Sequence, residues 1–121
     1  MGNPSKAKGT RAESKVVKFL ESYGIKAKRK ALTGSKDEGD VCLTDLNITL
    51  EIKAGKQTAN PNRTQLEMWL DQANVESRNS QTVCYLCVVR YNRQIKDADV
   101  YIRDKGFRKH MYLDEFAEYC I

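Results

Sequence analysis

Hydrophobic positions recur along the chain with two different periods, and the change of period divides it into elements. Ala12, Val16, Phe19, Leu20 and Tyr23 fall on one face at helical spacing. They predict a helix that begins near Thr10, with Thr10 as N-cap and Glu13 at the capping-box position, and stops at Gly24. Residues 1–9 (MGNPSKAKG) carry no apolar face and read as a flexible basic arm. Residues 10–121 then form a single domain.

After Gly24 the pattern turns extended. Ile25 to Leu32 reads as a partly exposed strand. Thr33 to Gly39 is a polar loop, and Val41, Cys42 and Leu43 form a short apolar strand behind Asp40. Asp45-Leu46-Asn47 turns the chain, and Ile48 to Ala54 pairs back as a hairpin strand. A loop with Pro61 leads to a second helix from Arg63 to about Arg78, with Leu66, Trp69, Leu70 and Ala73 on its inner face. Val83 to Tyr91 is the most apolar stretch and is expected at the centre of the sheet. Asp99 to Arg103 is a further strand, and Asp114 to Tyr119 a terminal helix. The order α-β-β-β-α-β-β-α predicts an α/β domain, a mixed sheet flanked by helices.

Composition narrows the class. Forty per cent of residues are hydrophobic and 31% charged, which suits a folded core rather than a disordered chain. No apolar run approaches the roughly 20 residues needed to cross a membrane. With no apolar stretch behind the basic N-terminus, an intracellular protein without signal peptide is expected. The net charge is +5. Residues 1–36 hold ten Lys/Arg and two acids, hence +8, and residues 37–121 hold eleven Lys/Arg and fourteen acids, hence −3. Such a split suggests one face made for a polyanion. Cys84 and Cys87 resemble half of a zinc site, but a spacing of three on a strand points them to opposite faces, and buried reduced thiols are the expectation.

The candidate chemistry lies between Gly39 and Lys53. On a strand, Glu51 and Lys53 share one face while Ile52 enters the other. A hairpin brings Asp40 beside them. Two carboxylates with the Ile52 backbone carbonyl suit a hard divalent cation such as Mg²⁺. Lys53 would stand near the attacking water and the phosphate. By itself Glu-x-Lys is also a common ion pair on a solvated strand surface. Glu13 offers a third carboxylate within a basic surround of Lys6, Lys8 and Arg11, or simply caps its helix. Lys28, Arg29 and Lys30 are candidate contacts to a nucleic-acid backbone, since three successive cations are not expected all to find acids nearby.

Lys8-Gly9-Thr10-Arg11-Ala12-Glu13, Gly39-Asp40-Val41 and Leu50-Glu51-Ile52-Lys53 together resemble the PD-(D/E)XK nuclease superfamily, and within it the Holliday junction resolvases of archaea and their phage-encoded relatives. The resemblance covers roughly residues 8–54. It implies a restriction-endonuclease-like fold, dependence on Mg²⁺ or Mn²⁺, and a homodimer that cuts DNA four-way junctions. It assigns catalytic and metal roles to Glu13, Asp40, Glu51 and Lys53. Two positions depart from the pattern: Gly39 stands where the superfamily name has Pro, and the serine nearest to the aspartate is Ser35 in the loop. A restriction-type or nicking repair enzyme of the same superfamily, and a non-catalytic DNA-binding module, are the alternatives.

Overall fold

The computed structural model describes residues 4–30, 40–104 and 106–121; the side chains of residues 4–10, 40 and 104 lie outside that description. The chain runs α1 (Pro4–Glu21), β1 (Ala27–Lys30), β2 (Asp40–Leu43), β3 (Ile48–Lys53), a 3-10 turn (Lys56–Thr58), α2 (Arg63–Ser80), β4 (Val83–Val88), a second 3-10 turn (Ile95–Asp97), β5 (Asp99–Asp104), β6 (Phe107–Tyr112) and α3 (Leu113–Tyr119). The six strands form one sheet in the order β1-β2-β3-β4-β5-β6. Only β3 and β4 pair in parallel, and the crossover between them is α2. Among the described residues the result is a small α/β domain with a mixed sheet and three helices, as the pattern predicts. No helix among the described residues is long and apolar enough to cross a membrane.

The hydrophobic periods explain how the layers close. Ala12, Val16 and Leu20 of α1 and Phe116 and Ala117 of α3 cover one sheet face, over Val41, Leu43, Leu50, Ile52 and Val100. Leu66, Trp69 and Leu70 of α2 cover the other, over Leu86 and Val88. Trp69 is therefore a core residue. Strand β4 is paired on both sides and buried from Cys84 to Val88, which matches its place as the apolar centre. Its alternation sends Cys87 to the α1 face and leaves Cys84 with Leu86 and Val88 on the α2 face. Burial, with help from Asp99, pushes the Cys87 thiol up to about 12, so it stays protonated and inert.

Two expectations change. First, α1 begins at Pro4 rather than Thr10, so residues 4–9 are helical and not an arm. Proline suits a first helical position, and Ser5 to Lys8 include good helix formers that carry the helix across Gly9. Glu13 accordingly sits in mid-helix and is no cap. Second, β6 is a strand the pattern does not announce. Phe107–Tyr112 is exposed at nearly every position, so no apolar alternation marks it. It forms because Gly106, at φ 85°, closes a tight hairpin that pairs Asp104 with Phe107. Its basic residues suit an edge strand that must not pair with other chains.

The core rests most heavily on Phe116, fully buried with its ring centroid 5.1 Å from that of Tyr85. Phe116→Ala should destabilise the domain by about 3–5 kcal/mol. Urea unfolding checks this as a lower midpoint at unchanged slope.

Candidate functional site

The site is built on β3, whose residues alternate between two covered faces. Leu50 and Ile52 enter the core under α1. Thr49, Glu51 and Lys53 therefore turn to the α2 side. Thr49 meets Thr82, hydroxyl to hydroxyl, at 2.8 Å. Glu51 and Lys53 are 6% and 2% exposed, and the Lys53 Nζ lies 3.6 Å from Glu51 Oε1. The reading of Glu-x-Lys as a solvated surface pair is thereby excluded. Burying either ion without a partner costs several kcal/mol, so the two side chains form a unit. The backbone is equally fixed: Val89 N–H donates to the Lys53 carbonyl at 2.8 Å.

Asp40 opens β2 directly opposite Glu51 in the antiparallel register. Directly opposed residues have Cβ atoms about 4.5–5.5 Å apart. The Asp40 side chain lies outside the described residues, as do Gly39 and Ser35. The donor set has the chemistry of a hard cation site: a buried carboxylate, a second carboxylate residue opposite, and the Ile52 peptide between Glu51 and Lys53. Cys42 stands on the neighbouring same-face position of β2, opposite Thr49, while His110 lies on β6. Among the described residues no group of three or more His, Cys, Asp or Glu is poised for a metal ion. A site of this kind is complete only with Asp40.

Glu13 takes a different position. Its carboxylate is buried and lies 3.7 Å from Arg29 Nε. Arg29 belongs to the rung Arg29–Val41–Leu50, whose Val41 and Leu50 face α1. Glu13 is thus one rung from Asp40–Glu51 and on the α1 side of the sheet. Burial raises its pKa, and Arg29 opposes that rise only in part.

The basic residues divide. Arg11, Lys28, Arg29 and Lys30 are exposed. Lys30 Nζ lies 3.2 Å from Glu76, and Arg29 is held by Glu13, so two of the three successive cations do find acids. The physical reason is that β1 lies at the edge of the sheet, within reach of both α1 and α2. The helical positions of Lys6 and Lys8 precede Glu13 on α1; their side chains lie outside the described residues.

A second polar cluster was not read from the sequence. Asp99, 4% exposed, accepts from His110 Nε2 at 2.7 Å through one carboxylate oxygen and from Arg90 at 3.2 Å through the other. The ring of His110 packs 4.9 Å from Tyr101 and edge-on, 5.0 Å, to Tyr112. The available signal was an aspartate two residues before a strand tyrosine, with the only histidine on the following segment. It became legible only once β6 paired with β5.

Comparison with protein-family models, with curated proteins and with solved structures yields no match.

Glu13 generates a pH prediction. A carboxyl whose pKa is raised in the folded state binds its proton more tightly when folded. Its contribution to stability is therefore present at low pH and is lost as pH rises from its ordinary value near 4.5 through the raised one. Glu13→Gln should remove this decline. Urea unfolding of both proteins between pH 4 and 7 checks it: the stability difference should move in favour of the variant as pH rises.

Proposed function

We propose that this chain is a metal-dependent DNA endonuclease of the PD-(D/E)XK superfamily, with a restriction-endonuclease-like fold, that cuts branched DNA, four-way junctions foremost, and acts as a homodimer. The observation that carries the reading is the burial of Glu51 and Lys53 side by side on a central strand with Asp40 opposite in register. A charged pair sunk this deep has no use as a solubilising surface feature. It lies at the carboxyl end of the parallel pair β3–β4, where open α/β sheets receive ligands. The +8 charge of residues 1–36 supplies the surrounding field for a polyanion.

In this reading Asp40, Glu51 and the Ile52 carbonyl would hold Mg²⁺, for which Mn²⁺ can substitute. The bound ion supplies Lewis acidity and lowers the pKa of water. Lys53 directs its ammonium at the scissile phosphate and at the attacking water, and stabilises charge that builds on the phosphoryl oxygens. Glu51 fixes the direction of that ammonium. Glu13 holds Arg29 extended from the edge strand, where Arg29, Lys28 and Arg11 meet the DNA backbone. Two copies related by a two-fold axis would cut two strands symmetrically.

The test is cleavage of a four-way junction and of linear duplex of the same sequence, with and without Mg²⁺. Lys53→Met and Asp40→Asn should each lower the cleavage rate by at least about 10²–10³-fold. Binding to the junction, measured in Ca²⁺ or without metal, should change little. Thermal melting confirms that each variant is folded. Cleavage at wild-type rates by either folded variant sinks the assignment; cutting of duplex and junction alike sinks the junction preference alone.

A further inference from the structure

The polar cluster around Asp99 opens into a cleft of about 380 Å³ lined by Arg90, Arg93, Asp97 and Tyr112. Its volume falls in the range of small-molecule sites, far larger than a lone phosphate needs. A buried carboxylate is costly unless paired, and Asp99 is paired twice. It locks Arg90 and His110 in place, and both keep about a third of their side chains exposed. Arg90 also donates to the Ala59 carbonyl at 3.4 Å, so two of its five donors are engaged, and the residue lines the cleft. Arg93, exposed on the turn beyond, has no ion pair among the described residues. Tyr112, 47% exposed, presents an aromatic ring to the same space. Asp97 adds a carboxylate that can accept hydrogen bonds.

From these features we infer that the cleft is a subsite for a single unpaired nucleotide. Arg90 and Arg93 receive its phosphate, Tyr112 stacks on its base, and Asp97 accepts from a base amino group. A simple anion site would not set an acid and an aromatic ring beside two arginines. Arg90, which lines the cleft, is held by Asp99, and Asp99 shares a sheet face with the candidate nuclease site. Lys53, Val88 and Asp99 stand on one rung, with Asp99 two strands from Lys53, or about 10 Å. The inference rests on the nucleic-acid reading of the function for the class of ligand, and its place relative to Lys53 fits a strand that leaves the duplex near a branch.

His110 is the only histidine of the chain, so its ring gives one unambiguous NMR resonance pair. It touches Asp99, which holds Arg90, and Tyr112, so it reports on the cleft through two of its walls. Deoxycytidine 5′-monophosphate, added without metal, should shift the His110 resonances saturably, and calorimetry gives the affinity. Arg93→Gln should weaken binding about tenfold. Tyr112→Ala should weaken it by a similar factor, while Tyr112→Phe keeps it, since the ring alone stacks. Inorganic phosphate and deoxycytidine should each bind at least about tenfold more weakly than the mononucleotide. A His110 signal unmoved by the mononucleotide overturns the inference. So does inorganic phosphate binding as tightly as the mononucleotide. Lys53→Met should leave mononucleotide binding intact, so a failure of the nuclease reading, seen as absence of cleavage, is separate from a failure here.

Discussion

Strand β3 is hydrogen-bonded to a neighbour on each edge, and its side chains from Thr49 to Lys53 have left water. Leu50 and Ile52 meet this condition by joining the core under α1. Thr49 meets it by a hydroxyl contact with Thr82. Glu51 and Lys53 meet it through each other across 3.6 Å. The same two residues on an exposed edge strand would be worth a fraction of a kcal/mol and would constrain nothing. On this strand neither partner can turn away without breaking a buried ion pair. Burial thus converts a common dipeptide pattern into a fixed arrangement of charge, and fixed charge is what a catalytic site at a phosphate requires.

The same face carries a second fixed arrangement, and an apolar strand keeps the two apart. Leu86 and Val88 of β4 are fully buried between Glu51 and Lys53 on one side and Tyr101 and Asp99 on the other. Without that strand, Asp99 would stand beside Lys53 and compete with Glu51 for it. With it, Asp99 takes Arg90 and His110 instead. Each acid has its own cation, and neither cluster needs the other to be neutral. Desolvation of Tyr101, with Asp99 near, raises the pKa of its phenol.

Much of this arrangement can be read from residue order, and the part that cannot has a physical reason. Period alone finds α2 to within two residues at its end, because Leu66, Trp69, Leu70 and Ala73 are buried as their spacing requires. It finds β2, β3 and β4, and it puts Glu51 and Lys53 on one face. It misplaces the start of α1, because residues 4–9 have no apolar stripe and their helicity comes from propensity and from continuity with a packed helix. It misses β6, because an exposed edge strand is held by backbone pairing, which leaves no mark on side-chain pattern. The face of Glu13 is the instructive case. Alternation along β1 and β2 decides it, through Arg29 and Val41, and no reading of α1 by itself can supply it. The Asp99 cluster is hidden for the same reason as β6: its histidine arrives on that strand.

The two clusters nevertheless share one support, and it is not a charge. Beyond Lys53 the chain enters a loop that must return over the sheet end to begin α2. Thr58, fully buried in that loop, sets its hydroxyl 2.7 Å from the Gly55 carbonyl and 3.0 Å from that of Val89, and accepts the Tyr91 N–H at 2.9 Å. Gly55, at φ 91°, provides the bend that lets the loop come back so close. Arg90 then reaches the Ala59 carbonyl at 3.4 Å from the next position of the same segment. The Thr58 hydroxyl therefore ties the loop that follows β3 to the end of β4, beside the backbone bond from Val89 N–H to the Lys53 carbonyl. A displacement of the loop would be felt by both charged clusters at once. Their common support, rather than any direct contact, is what fixes the distance between them.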